Sequence, residues 1–242
     1  MSDWYTMADV FGMVMMDAVK GNEAKHLIVR NDGYTRESLG SQYIADFSDW
    51  PDGQKQAARE VKGRILDIGC GAGRVGVYFQ SVGHEVVGID ISQGAIEAAR
   101  KRGLQNVHLM SAEKLEFPEK SFDTVVLFGN NFGIMGEEGR IVSMLKEIYR
   151  VTTPDGVLLA ESRDVTATDN PEHHRYHEEN RAKGRPLGLV TLRLEYQGVV
   201  DDWWELRMAS PEDMSEIAEK AGWRLERTYG PRELYVGVLR KS

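Results

Sequence analysis

Short apolar runs alternate with amphipathic stretches through the middle of the chain. Arg64-Ile65-Leu66-Asp67-Ile68 reads as a strand that runs into a glycine-rich turn, Gly69-Cys70-Gly71-Ala72-Gly73. A second apolar run, Glu85 to Asp90, again closes on an acid. Ser92 then stands as a cap before Ala95, Ile96 and Ala99. Basic Arg100, Lys101 and Arg102 follow, and Gly103 stops the segment, which together predict a helix. Asn106 to Met110 predicts a third strand ending in Ser111-Ala112-Glu113. The linking segment from Leu115 leads into a fourth, Asp123 to Val126. Ile141, Met144, Leu145 and Ile148 fall on one helical face, and Pro154-Asp155-Gly156 turns the chain into a fifth strand, Val157 to Glu161.

The end of the chain has a different rhythm. Ser210 and Asp213 stand three apart with Pro211 between them, a capping box with proline at the first helical position. Met214, Ile217, Ala218 and Ala221 share a face, and Gly222 ends the helix. Trp223 to Thr228 and Glu233 to Leu239 are strand-like. The link Tyr229 to Arg232 is too short for a parallel crossover, so they predict an antiparallel hairpin.

The chemistry sits in the first turn. Glycines let a backbone approach a ligand closely, and an acid ending the next strand can accept hydrogen bonds from ribose hydroxyls. Two registers fit. Gly71-Ala72-Gly73-Arg74-Val75-Gly76 is GxGxxG with Asp90 nineteen residues after Gly71, the spacing of an NAD site. Asp67-Ile68-Gly69-Cys70-Gly71-Ala72-Gly73 is DxGxGxG. In that register, with the acid-bearing turn at Glu113, the link Phe117-Pro118-Glu119-Lys120-Ser121-Phe122-Asp123 and the reversed final hairpin, residues 60 to 165 and the C-terminal segment resemble the class I S-adenosylmethionine-dependent methyltransferases. A dinucleotide-binding sheet is all parallel, and the final hairpin favours the methyltransferase reading.

The resemblance implies an α/β, Rossmann-like fold: a seven-stranded, mostly parallel sheet with an antiparallel last strand and helices on both faces. An N-terminal cap and a β-ribbon insertion would complete it. It implies S-adenosyl-L-methionine as cofactor and S-adenosyl-L-homocysteine as product. Asp67 would help hold the methionyl end, with Gly69, Cys70, Gly71 and Gly73 forming the turn beside it. Asp90 would take the ribose, while Ile91, Ser111, Ala112 and Glu113 would border adenine. Gly129 and Asn130, after the fourth strand, would border the methionyl end again. The stretch Phe128-Gly129-Asn130-Asn131-Phe132-Gly133 lacks the Asn/Asp-Pro-Pro-Tyr of the amino-group methylases of DNA and of protein glutamine, so that subclass does not fit. A cofactor-binding protein without transfer activity is the remaining alternative, alongside the NAD-dependent oxidoreductase.

Composition narrows the partners. The 242 residues carry 30 basic and 38 acidic side chains, a formal charge of −8, with no basic block, so nucleic-acid and anionic-membrane binding are not expected. A small-molecule acceptor, methylated at an O, N or C nucleophile, fits better. One cysteine, Cys70, excludes an internal disulfide and reads as structural. Met7 to Met16 is apolar, but Asp3 and Asp9 stand where a secretion signal needs positive charge, so a cytoplasmic monomer or homodimer is expected.

Acceptor identity must lie outside the cofactor domain, placed at 59–163 and 210–242. Residues 1–58 predict a helical cap on apolar periodicity, aromatic at Trp4, Tyr5 and Phe11, with Tyr34 or Tyr43 as residues that could close the pocket. Residues 164–209 are an insertion. It opens on a polar helix bearing His173, His174, Tyr176 and His177, the candidates for an acid–base group. His173 and His177 share a face, yet no cysteine or third ligand accompanies them, so no metal is expected. The insertion closes on two period-two runs, Thr191 to Gln197 and Trp203 to Met208. These predict an antiparallel ribbon whose apolar face needs a partner.

Overall fold

A computed structural model describes residues 8–242; Asp3, Trp4 and Tyr5 lie outside them. Elements are numbered in chain order. Helix α1 (Val10–Val19) is followed by a hairpin, β1 (Lys25–Arg30) and β2 (Thr35–Leu39), and by α2 (Asp52–Ala57). The central alternation is β3 (Ile65–Ile68), α3 (Arg74–Ser81), β4 (Val86–Asp90), α4 (Gln93–Lys101), β5 (Val107–Leu109), β6 (Phe122–Leu127), α5 (Glu138–Val151) and β7 (Thr152–Ser162). Then come α6 (Pro171–Ala182), β8 (Leu189–Tyr196), β9 (Val199–Val200), β10 (Trp204–Arg207), α7 (Pro211–Glu219), β11 (Trp223–Tyr229) and β12 (Tyr235–Lys241).

Seven strands form one sheet in the order β11-β12-β7-β6-β3-β4-β5. The pairs β4–β5 and β6–β7 are parallel, whereas β12 runs antiparallel to both β7 and β11. That single reversed strand separates the sheet from an all-parallel dinucleotide fold. The chain divides into two compact units. One takes the chain up to Trp50, Leu66–Ala112 and Thr191–Trp204; the other takes Pro51–Ile65, Glu113–Val190 and Glu205–Ser242.

In the first unit, Asp9 caps α1 by accepting from the Gly12 N–H at 2.9 Å. Val10, Val14 and Ala18 are buried on one side of that helix with Leu194 and Tyr196, and Met15 on another with Ala72, Ala95 and Ala98. The N-terminal stretch, expected to be a helical cap, carries two strands, β1 and β2, after α1. β1 pairs antiparallel with β2, Lys25 opposite Leu39, and on its other side with β8, Leu27 opposite Glu195. The second sheet is ordered β10-β8-β1-β2, with β9 added to β8. The apolar face of the period-two ribbon, at Leu194 and Tyr196, is therefore covered by the chain's own α1, and its edge by the N-terminal hairpin.

In the second unit, α5 buries Ile141, Met144, Leu145 and Ile148, the face read from spacing. Ser210 and Asp213 make the capping box of α7. Arg150 ties down the link before β6: its guanidinium donates to the carbonyls of Phe117 and Leu115 at 2.8 and 2.7 Å and to Glu147. The Asp123 carboxylate accepts from the Arg64 backbone N–H at 3.0 Å. The Pro154–Gly156 turn lies inside β7. There the register with β6 jumps from Phe122 opposite Thr152 to Thr124 opposite Val157, so the intervening residues loop out of the ladder.

Candidate active site

The sequence-predicted cofactor residues of the first unit converge at the carboxyl ends of β3 and β4, the side on which ligands bind in open α/β sheets. Asp67 stands in the last half of β3 and is buried. Gly69, Gly71 and Gly73 follow with φ of 67°, 54° and 76°, a left-handed run in which Gly73 becomes the N-cap of α3. Only glycine adopts such a run without strain. The turn is pinned to the neighbouring strand, since the Gly69 and Cys70 N–H groups both donate to the Ile89 carbonyl, at 2.9 and 3.0 Å.

Two acids flank this turn. Asp90 Oδ2 accepts from the Gly71 N–H and Oδ1 from the Ser92 N–H, each at 2.9 Å. A carboxylate oxygen carries two lone pairs, so both retain acceptor capacity for hydroxyls. Burial raises the Asp90 carboxyl, opposed by those backbone bonds. Asp67 is more extreme. Burial pushes its carboxyl up to about 7, with the Arg74 charge opposing and Asp90 adding to the rise, and its Oδ2 is buried with no hydrogen-bond partner. A buried polar atom left unpaired costs about 1–3 kcal/mol, so this oxygen stands out among the described residues.

The other residues of the turn and rim are apolar or small. The Cys70 thiol is buried and lies 3.0 Å from where a Cβ on Gly88 would stand. Burial raises the thiol well above its ordinary range, which makes it packing rather than nucleophile. Ile91 is 53% exposed beside Asp90. Ser111 is half-buried and Ala112 buried after β5. Tyr43, offered as a pocket-closing residue, packs edge-on against Phe11 with its hydroxyl 3.4 Å from His26 Nε2, and burial pushes it up to about 12. Tyr34 lies at the hairpin tip beneath the Arg30 guanidinium, 4.7 Å from its ring centre.

Within the second unit, the Glu113 side chain is taken by Arg140, with nitrogen–oxygen distances of 2.9 and 2.8 Å. Gly129 and Asn130, after β6, both have positive φ. Asn130 is buried, and neither its amide oxygen nor its amide nitrogen has a partner. Asn130 thus joins Asp67 among the described buried side chains that carry unpaired polar atoms. The histidine segment forms α6 as expected. His173 Nδ1 lies 3.0 Å from the Thr168 hydroxyl, the rings of His174 and His177 meet edge-on, and Tyr176 is buried. Among the described residues no group of three His, Cys, Asp or Glu side chains is placed to hold a metal ion, and no helix is long and apolar enough to cross a membrane.

One residue of the site escaped the sequence reading. Asp9, weighed only as a charge unsuited to a secretion signal, accepts from the Ser92 hydroxyl at 2.6 Å and from the Gly94 N–H at 2.8 Å. The local signal was present: an aspartate directly before an apolar helix is a cap.

Known proteins with this geometry agree with one another. A family model described as a methyltransferase domain matches residues 65–156. The putative methyltransferase YqeM of Bacillus subtilis is 24% identical over 192 residues, which cover 71% of this chain and 78% of that protein. A putative methyltransferase of a Geobacillus species is 32% identical over 123 residues, 49% of each chain, so this chain spans about half its length. Among solved structures, a SAM-dependent methyltransferase from Bacteroides fragilis in complex with S-adenosyl-L-homocysteine superposes with a TM-score of 0.82. That match covers 98% of this chain and 99% of that one at 20% identity, a likeness of fold.

Proposed function

We propose that the protein is a class I S-adenosylmethionine-dependent methyltransferase, a reading that the methyltransferase-domain match over residues 65–156 supports, and that it transfers a methyl group to an O, N or C nucleophile of a small-molecule acceptor. When bound, the cofactor supplies an electrophilic methyl on a sulfonium. The protein's part is then mostly positioning and exclusion of water. Asp90 accepts from the ribose hydroxyls. Gly69, Cys70, Gly71 and Gly73 let backbone come close, and Ile91, Ser111 and Ala112 border adenine, with Glu113 contributing through its backbone because Arg140 holds its carboxylate. The unpaired polar atoms of Asp67, in the first unit, and of Asn130, in the second, support their assignment to the methionyl end, with Gly129 beside Asn130. The observation that carries this reading is the pair of acids, Asp67 buried and Asp90 half-buried, around the left-handed glycine turn. The formal charge of −8 favours a small acceptor over a nucleic acid.

Calorimetry with S-adenosylhomocysteine and assay of its release from S-adenosylmethionine, with a metabolite pool as acceptor, test the reading. Asp90→Ala is expected to weaken S-adenosylhomocysteine by about 2–3 kcal/mol, the worth of charge-assisted bonds to two hydroxyls. Binding unchanged in that variant would mean that the cofactor lies elsewhere. An acceptor hydroxyl or ammonium would also need a base, and the α6 histidines are the groups available for it. Replacing His173, His174 and His177 together by alanine is then expected to lower kcat by about 10²-fold or more, with S-adenosylhomocysteine affinity unaltered. Undiminished turnover in the triple variant would make α6 structural.

A further inference from the structure

We propose that Asp9 is a positioning residue of the cofactor site, acting through Ser92 on the ribose acid Asp90, so that α1 is a working part of the site. The inference rests on the methyltransferase reading and concerns only the first unit.

The Asp9 carboxylate is shared between two helices. Its Oδ1 accepts from the Gly12 N–H of α1 and from the Ser92 hydroxyl, and its Oδ2 accepts from the Gly94 N–H in the first turn of α4. The first turn of a helix presents unpaired N–H groups and the positive end of its dipole, so a carboxylate there is held firmly. Ser92 sits on both sides of the relay. Its hydroxyl donates to Asp9, while its backbone N–H donates to Asp90 Oδ1. Moving Asp9 therefore moves the residue that orients one of the two oxygens offered to the ribose.

A second contact makes this more than a helix cap. Six residues further along α1, about 9 Å at the usual helical rise, Met15 reaches the glycine turn. Its Cε and Sδ lie 3.1 and 3.4 Å from where a Cβ on Gly71 would stand. Gly71 donates to the other Asp90 oxygen. One helix thus touches both loops that orient Asp90, at its cap through Asp9 and in its middle through Met15. The approach is close: a Cβ on Gly94 would lie 2.6 Å from the Gly12 Cα, so the α1–α4 contact tolerates little displacement.

The test is a double-mutant cycle read by S-adenosylhomocysteine calorimetry on the full chain, with Asp9→Asn, Asp90→Asn and both together. Asparagine keeps the shape but turns an N–H toward the Gly94 N–H. The expected loss for Asp9→Asn is about tenfold in affinity. In the double variant, affinity is expected to match Asp90→Asn within about twofold, because Asp9 has nothing left to orient. Losses that multiply, or an Asp9→Asn variant that binds within about twofold of the parent, would overturn the proposal. Circular dichroism reports folding of each variant. If Asp9→Asn does not fold, Ser92→Gly removes the hydroxyl that donates to Asp9 and accepts from the Ala95 N–H, keeps the Ser92 N–H bond to Asp90 and carries the same expectation. A parent protein that does not bind S-adenosylhomocysteine would instead overturn the cofactor reading itself.

Discussion

Gly71→Val is expected to abolish S-adenosylhomocysteine binding, with a loss of more than about 10²-fold, while the fold survives. Gly71 has φ of 54°, a region that costs an L-residue about 1–2 kcal/mol and is least tolerated by a β-branched one. The new side chain would also push on the Met15 thioether, which is the far end of a flexible chain and can give way. The Gly71 N–H holds Asp90 Oδ2, so strain in the turn is passed to the acid as well. Global stability should fall by a few degrees in thermal midpoint, since about 1 kcal/mol corresponds to 2–4 °C in a chain of this size. A variant that still binds within about tenfold of the parent, as judged against the about 1.4 kcal/mol that tenfold represents, would remove Gly71 from the cofactor's path.

The second large effect is on stability against pH. Asp67 is buried, with its carboxyl raised from 3.8 to about 7. A group whose folded value lies above its unfolded one holds its proton longer in the native state. Its contribution is therefore favourable below the unfolded value and is lost as pH rises through the window up to about 7. At about 1.4 kcal/mol per unit, the free protein should lose on the order of 4 kcal/mol between the two ends of that window from Asp67 alone. Burial of Asp90 acts in the same direction. Urea unfolding without ligand at about pH 4 and about pH 8, either side of that window, measures the difference. In Asp67→Asn, which cannot ionise, most of that slope is expected to vanish, and an unchanged slope would show that Asp67 does not titrate there.

Both effects concern residues that could be picked from the chain, because their signals are local. Ser92 before an amphipathic run, the left-handed glycine turn after a buried strand and the Ser210–Asp213 box each depend on neighbours a few positions away. The hairpin β1–β2 was opaque for the opposite reason. Lys25–Arg30 does not alternate cleanly in burial, Thr35–Leu39 is almost wholly polar, and the strand that completes them, β8, lies some 160 positions downstream. Propensity for a pleated surface depends on the partner, and sequence spacing cannot supply a partner so distant. Asp9 was hidden by the same distance. Its role as a cap was readable, whereas its bonds to Ser92 and Gly94 span 83 and 85 positions. The Arg140–Glu113 pair spans 27 positions and was out of reach of spacing for the same reason.

The reversed strand has a consequence for how the protein is made. β12 lies between β7 and β11 and pairs with both, yet it leaves the ribosome after both of them. Until residues 235–241 emerge, β7 carries the run Val157-Leu158-Leu159-Ala160 with one flank of backbone N–H and C=O groups uncovered. An apolar strand in that condition is a template for pairing with other nascent chains. Synthesis that stalls or terminates within that stretch would leave a chain whose glycine turn and two acids are already complete, but which is prone to aggregate.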